Sequence, residues 1–184
     1  MKLKRETLKR IIKEELQATL RESMPSGGTD YYNKFITLME TKAGVYQAES
    51  LYEFARDQLD DEEKTFLDNC FKLLELGREA LRIHNAIPEI SKQIEKYLED
   101  NEFQPWQHKR RQNDVFLQEL EAKRREMREQ IKHLNLLFNA TESILDNLAD
   151  PTTKSPNKPL AYAARAAIQA GLEEAGGLFG MLSI

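Results

Sequence analysis

Three histidines, one cysteine and two runs of cations are the side chains here whose types could do chemistry. Their spacing decides what each can support. Carboxylate-bridged metal centres in four-helix bundles take a Glu-x-x-His pair from each of two helices. The residues three places before His84, His108 and His133 are Leu81, Pro105 and Gln130, so that donor set is missing. Cys70 lies two heptads before His84, and no close thiol–imidazole pair follows from that spacing. A lone cysteine on an apolar face reads as a small buried hydrophobe rather than a nucleophile. It leaves no intrachain disulfide and no cysteine-cluster metal site within this sequence, and it suits a reducing cytoplasm. No Gly-rich phosphate loop, nucleophile elbow or His-Glu-x-x-His zinc motif occurs. The acidic run Asp60-Asp61-Glu62-Glu63 lacks the spacing and glycine of a calcium loop. Asp60 followed by Glu63 instead reads as a capping box at a helix start. No catalytic residue, metal ligand or cofactor is expected.

The clusters Lys109-Arg110-Arg111 and Lys123-Arg124-Arg125-Arg128, with Trp106 near the first, have the residue types that grip phosphate and stack a base. Glu119, Glu121, Glu126 and Glu129 interleave with the second cluster, as on a salt-bridged helix exterior. A net charge of −4 over 184 residues also argues against nucleic acid as the partner.

The elements that must carry these residues are helices. With 40% hydrophobic and 32% charged residues the chain has the composition of a folded protein. Its two valines, Val45 and Val115, leave little to build a sheet from. The expected fold is all-α: a helical bundle with a long coiled-coil-like helix, an N-terminal amphipathic helix and a separate C-terminal helix. The divisions are 1–24 (amphipathic helix), 25–29 (linker), 30–149 (bundle), 150–159 (Pro-rich linker) and 160–184 (small-residue helix and apolar tail). Within the bundle, one helix is expected from Thr29 or Asp30 to about Leu59, weakened at Gly44. A second is expected from Asp61 to Asn85, ended by Ile87-Pro88, with a shorter helix following. Gln107 to Ala149 contains neither glycine nor proline. Leu117, Ile131, Phe138 and Leu145 share one heptad position, and Leu120, Met127, Leu134 and Leu148 share another, with Arg124 and Thr141 interrupting the two series. As one straight helix this segment would reach about 65 Å, and the sustained heptad favours a projecting coiled-coil arm over a hairpin. Leu120, Ile131, Leu134 and Phe138 are its expected contact residues, whether with another element or through self-association.

In the first 22 residues, Leu8, Ile11, Ile12, Leu16 and Leu20 fall on one helical face. Ser23-Met24-Pro25-Ser26-Gly27-Gly28 then interrupts the helix. An isolated helix of this length is marginal in water, so a docking surface is expected for it. Lys2, Lys4, Arg5, Lys9, Arg10 and Lys13 crowd its N-terminal half, where the helix dipole disfavours cations. They suit an acidic protein surface or an anionic membrane. Lys13, Glu14 and Glu15 interrupt any signal-peptide core, and no apolar run reaches the roughly 18–20 residues of a membrane span.

This segment resembles the amphipathic address peptides of bacterial microcompartment cargo. It is also similar to the K-x-x-L-K-x-I-I-K-E-E-L leaders of tailed-phage proteins, through Lys4, Leu8, Lys9, Ile11, Ile12, Lys13, Glu14, Glu15 and Leu16. Both resemblances imply delivery to, or incorporation in, an assembly, and neither extends past the leader.

At the other end, Ala163, Ala167, Gly171 and Ala175 recur every four residues, a face that another helix can approach closely. After Glu174 no charged side chain remains. Phe179, Met181, Leu182 and Ile184 are the expected anchors of a tail that needs cover. Gly177-Leu178-Phe179-Gly180 also resembles the start of some viral fusion peptides. Together these features predict a non-enzymatic protein with protein partners, placed in a virion or a cytoplasmic assembly. The alternatives are a cargo or adaptor addressed to a shell or an anionic membrane, and an enzyme with an unfamiliar all-α site.

Overall fold

A computed structural model describes residues 28–103, 106–148 and 158–179. These form an all-α fold with no strand among them. The helices are α1 (Gly28–Leu38), α2 (Lys42–Ala55), α3 (Asp61–Asp100), α4 (His108–Asn113), α5 (Val115–Leu148) and α6 (Lys158–Glu174), with a 3₁₀ turn at Arg56–Gln58 after α2.

The single helix expected between residue 30 and Leu59 is two. The chain leaves α1 at Leu38 and restarts where the Thr41 hydroxyl accepts the Gly44 amide at 3.2 Å. Gly44 is not a weak point inside a helix but a close crossing, since a Cβ there would lie 1.6 Å from the Leu38 carbonyl oxygen. A 3₁₀ turn then leads to α3. The Glu63 amide donates to Asp60 at 2.8 Å, and the Asp60 amide donates to Glu63 at 3.0 Å. That reciprocal pair closes the capping box and accounts for the acidic run.

Pro88 does not end α3, contrary to the expectation from sequence. A proline inside a helix removes one backbone hydrogen bond and crowds the preceding turn, at a cost of about 3 kcal/mol. Here Pro88 and its i−4 neighbour His84 both face solvent, so water can serve the freed carbonyl. Ile83, Ile90 and Ile94 are buried on either side and hold the helix in place.

The long glycine-free segment does not project as a lone arm. Its helix, α5, begins only at Val115, where Asp114 caps it by accepting the Leu117 amide at 2.9 Å. It then lies antiparallel along α3: Leu117 and Leu120 pack near Ile94 and Ile90, and Phe138 lies near Leu73. At the closed end of this hairpin, Tyr97 packs tilted against Phe116 with ring centroids 4.8 Å apart and donates its hydroxyl to Asp114 at 3.1 Å.

The C-terminal helix fills the groove along the first half of that hairpin. Ala163, Ala167, Gly171 and Ala175 are all buried. Gly171 lies against Leu73, Gly77 against Gly171 and Ala175, and Gly176 against Leu81, so α6 runs parallel to α3. It ends in a Schellman turn: the Gly177 amide donates to the Leu172 carbonyl at 3.2 Å and the Gly176 amide to Glu173 at 2.8 Å. Gly176, the residue just past the helix, holds the positive φ of 58° that this turn requires, and Gly177 follows with φ 78°. The reversal folds Phe179 back onto Phe138, with ring centroids 4.8 Å apart.

Two apolar clusters result among the described residues. The larger joins α1, α2, the first half of α3, the end of α5, and α6; the smaller holds Ile90, Ile94, Leu117 and Leu120 together. An ionic clamp ties three helices across the larger one. The Arg78 guanidinium of α3 donates a fork to Glu49 of α2 at 2.7 and 2.8 Å and reaches Glu174 of α6 at 3.3 Å. The two carboxylates push the Arg78 pKa up. Lys42 of α2 pairs with Glu173 of α6 beside it.

Candidate interaction surfaces

Leu120, Ile131 and Phe138 are buried, and Leu134 is half-buried, on the α5 face that meets α3. The seam therefore exists, and the helix that fills it belongs to the same chain. Its polar interruption is satisfied locally: the buried Thr141 hydroxyl donates to the Leu137 carbonyl at 2.8 Å. Arg124 is half-buried at the seam's margin, where its stem can pack while the guanidinium stays wet. Leu148, grouped with the seam by spacing, is exposed instead.

Leu148 belongs to a second stripe that heptad counting missed. Leu136, Ala140, Ile144 and Leu148 recur every four residues on α5 and are all exposed, Leu136 at 66%. Tyr162 on α6, Phe54 on α2 and Trp106 are further exposed apolar side chains. Heptad spacing assigns Leu148 to the series of Leu120, Met127 and Leu134, whereas its four-residue spacing from Ile144 places it on the exposed stripe.

Of the expected tail anchors, Phe179 is buried against Phe138 inside the bundle. Met181, Leu182 and Ile184 lie outside the described residues, as do the leader positions Leu8, Ile11, Ile12, Leu16 and Leu20. Just past Phe179's partner residues, an apolar groove of about 430 Å³ opens between α3 and α5, lined by Ile87, Pro88, Ile131 and Leu178 with Arg128, Lys132 and His84 around them. It falls where α6 ends, in the gap between the two apolar clusters.

The chemistry-bearing residues are placed apart. Cys70 is fully buried in the larger cluster, and burial pushes its thiol pKa far up, so no thiolate is held ready. His84 and His133 are exposed on different helices. Among the described residues no group of three or more His, Cys, Asp or Glu side chains is placed to hold a metal ion, and no helix is long and apolar enough to cross a membrane. The aromatic neighbour of the first basic cluster is Phe103, with the Arg110 guanidinium 4.7 Å from its ring centroid, while Trp106 stands exposed.

No protein-family model, curated protein or solved structure matches this chain.

Proposed function

We propose that this protein is a non-enzymatic structural or interaction component of a larger assembly, a tailed-phage particle being the favoured setting, and that its N-terminal helix is the attachment segment. The observation that carries the reading is the leader: an apolar stripe of Leu8, Ile11, Ile12, Leu16 and Leu20, followed in sequence by the helix-breaking Pro25 and Gly27 ahead of α1. One feature of the bundle supports it. The exposed stripe of Leu136, Ile144 and Leu148 offers a second apolar face to a neighbouring protein.

Quantitative mass spectrometry of purified particles against cytosol tests this. A fixed copy number per particle is expected. Substoichiometric, variable amounts would instead favour the second reading, a cargo or adaptor protein, which the crowding of cations in the leader's first half supports through its fit to an anionic surface.

A further inference from the structure

We propose that the groove between α3 and α5 is the docking site for this chain's own C-terminal segment, residues 180–184, which closes the bundle where α6 stops. The register leads the tail there. Contacts climb α3 as α6 proceeds: Gly171 lies against Leu73, Ala175 against Gly77, and Gly176, past the end of α6, against Leu81. Leu178 continues the progression into the groove beside Ile87 and Pro88. Met181 and Leu182 follow within three and four residues, a reach of at most about 10–14 Å. The groove of about 430 Å³ is lined mainly by apolar atoms of Ile87, Pro88, Ile131 and Leu178, and the sequence Gly-Met-Leu-Ser-Ile supplies uncharged side chains to fill it.

Charge and the shorter tether favour this occupant over the leader. Arg128 and Lys132 border the groove, which disfavours the lysine- and arginine-rich N-terminal half of the leader and is indifferent to an uncharged segment. The leader also joins the bundle at the other end, where Tyr32 meets Phe66 with ring centroids 6.5 Å apart. From Phe66 to Pro88 along α3 is about 33 Å. A segment tethered a few residues from its site is present at an effective concentration on the order of millimolar or above, which a separate molecule must exceed.

Isoleucine-methyl NMR on the full chain decides the matter, because Ile87 and Ile131 line the groove while Ile184 and Ile11 and Ile12 mark the two candidate segments. Expected are cross-relaxation peaks between the Ile184 methyl and those of Ile87 or Ile131 that persist unchanged on tenfold dilution. Deleting residues 180–184 should shift the Ile87 and Ile131 methyls and leave Ile36, in the distant α1, unmoved. Leu182→Asp should abolish the peaks without altering Ile36. An Ile184 methyl at its unstructured shift with no such peaks would overturn the proposal. So would peaks seen only between differently labelled chains, which assign the groove to a second copy, or peaks from Ile11 or Ile12, which assign it to the leader.

Discussion

A Cβ on Gly77 would lie 2.3 Å from the carbonyl oxygen of Gly171, so α3 and α6 approach backbone to backbone at that point. Gly171 is equally confined, its own Cβ position being 2.8 Å from the Phe138 ring and 2.9 Å from the Leu73 carbonyl oxygen. One contact thus joins three helices, and it exists because α6 presents small residues every fourth position.

Alanine at either glycine should therefore destabilise the bundle. In an open helix the change would stabilise by roughly 0.5–1 kcal/mol. Here overpacking against backbone should cost about 1–3 kcal/mol and win. Urea denaturation of Gly77→Ala and Gly171→Ala measures the sign. Because both sites share one contact, the double variant should fall short of the sum. Stabilisation by either single change would show that α6 is not pressed against α3.

Phe138 of α5 is the side chain on which α6 and Phe179 converge, touching the Gly171 position and packing tilted against the Phe179 ring. Phe138→Ala should cost about 3–5 kcal/mol, within the range for a buried aromatic. Leu134→Ala should cost clearly less than the roughly 2–5 kcal/mol of a fully buried leucine, since Leu134 is only half-buried. Truncation after Glu174 removes the buried Ala175 and Phe179, so its thermal midpoint should fall. Equal costs at 134 and 138, or an unchanged midpoint, would contradict the described packing.

Cys70 should be inert while the protein is folded. Its reactive form is the thiolate, and burial raises the pKa of this thiol. In native buffer at pH 8 an aromatic disulfide reagent should label it only as fast as the bundle opens, and at once in denaturant. Rapid stoichiometric labelling of the native protein would place Cys70 at an accessible surface.

The all-α class, the Asp60–Glu63 cap and the small-residue face of α6 were legible because each rests on local spacing. The division at Met39–Thr41 was not. Its cause is the steric fit of Gly44 against Leu38, a contact that depends on how two helices cross. The passage of α3 through Pro88 was hidden for a similar reason: burial of Ile83, Ile90 and Ile94 on α5 outweighs a local penalty. Heptad spacing located the seam residues Leu120, Ile131 and Phe138, yet periodicity carries no information about whose helix fills a seam. The partner is α3, which ends at Asp100 and meets α5 through a chain reversal over residues 101–114. The exposed stripe of Leu136, Ile144 and Leu148 escaped notice because hydrophobic type alone does not separate an inner face from an outer one.

Separability of the leader from the bundle is tested most directly by deleting residues 1–24 and measuring two things on the same protein: the thermal midpoint by circular dichroism, and the fraction recovered with purified particles. The predicted result is a midpoint close to that of the full chain together with loss of particle recovery. Ile12→Asp with Leu16→Asp in the full chain should reproduce the loss. A deletion variant that unfolds would make the leader part of the core, and one that still enters particles at the same copy number would show that attachment lies elsewhere.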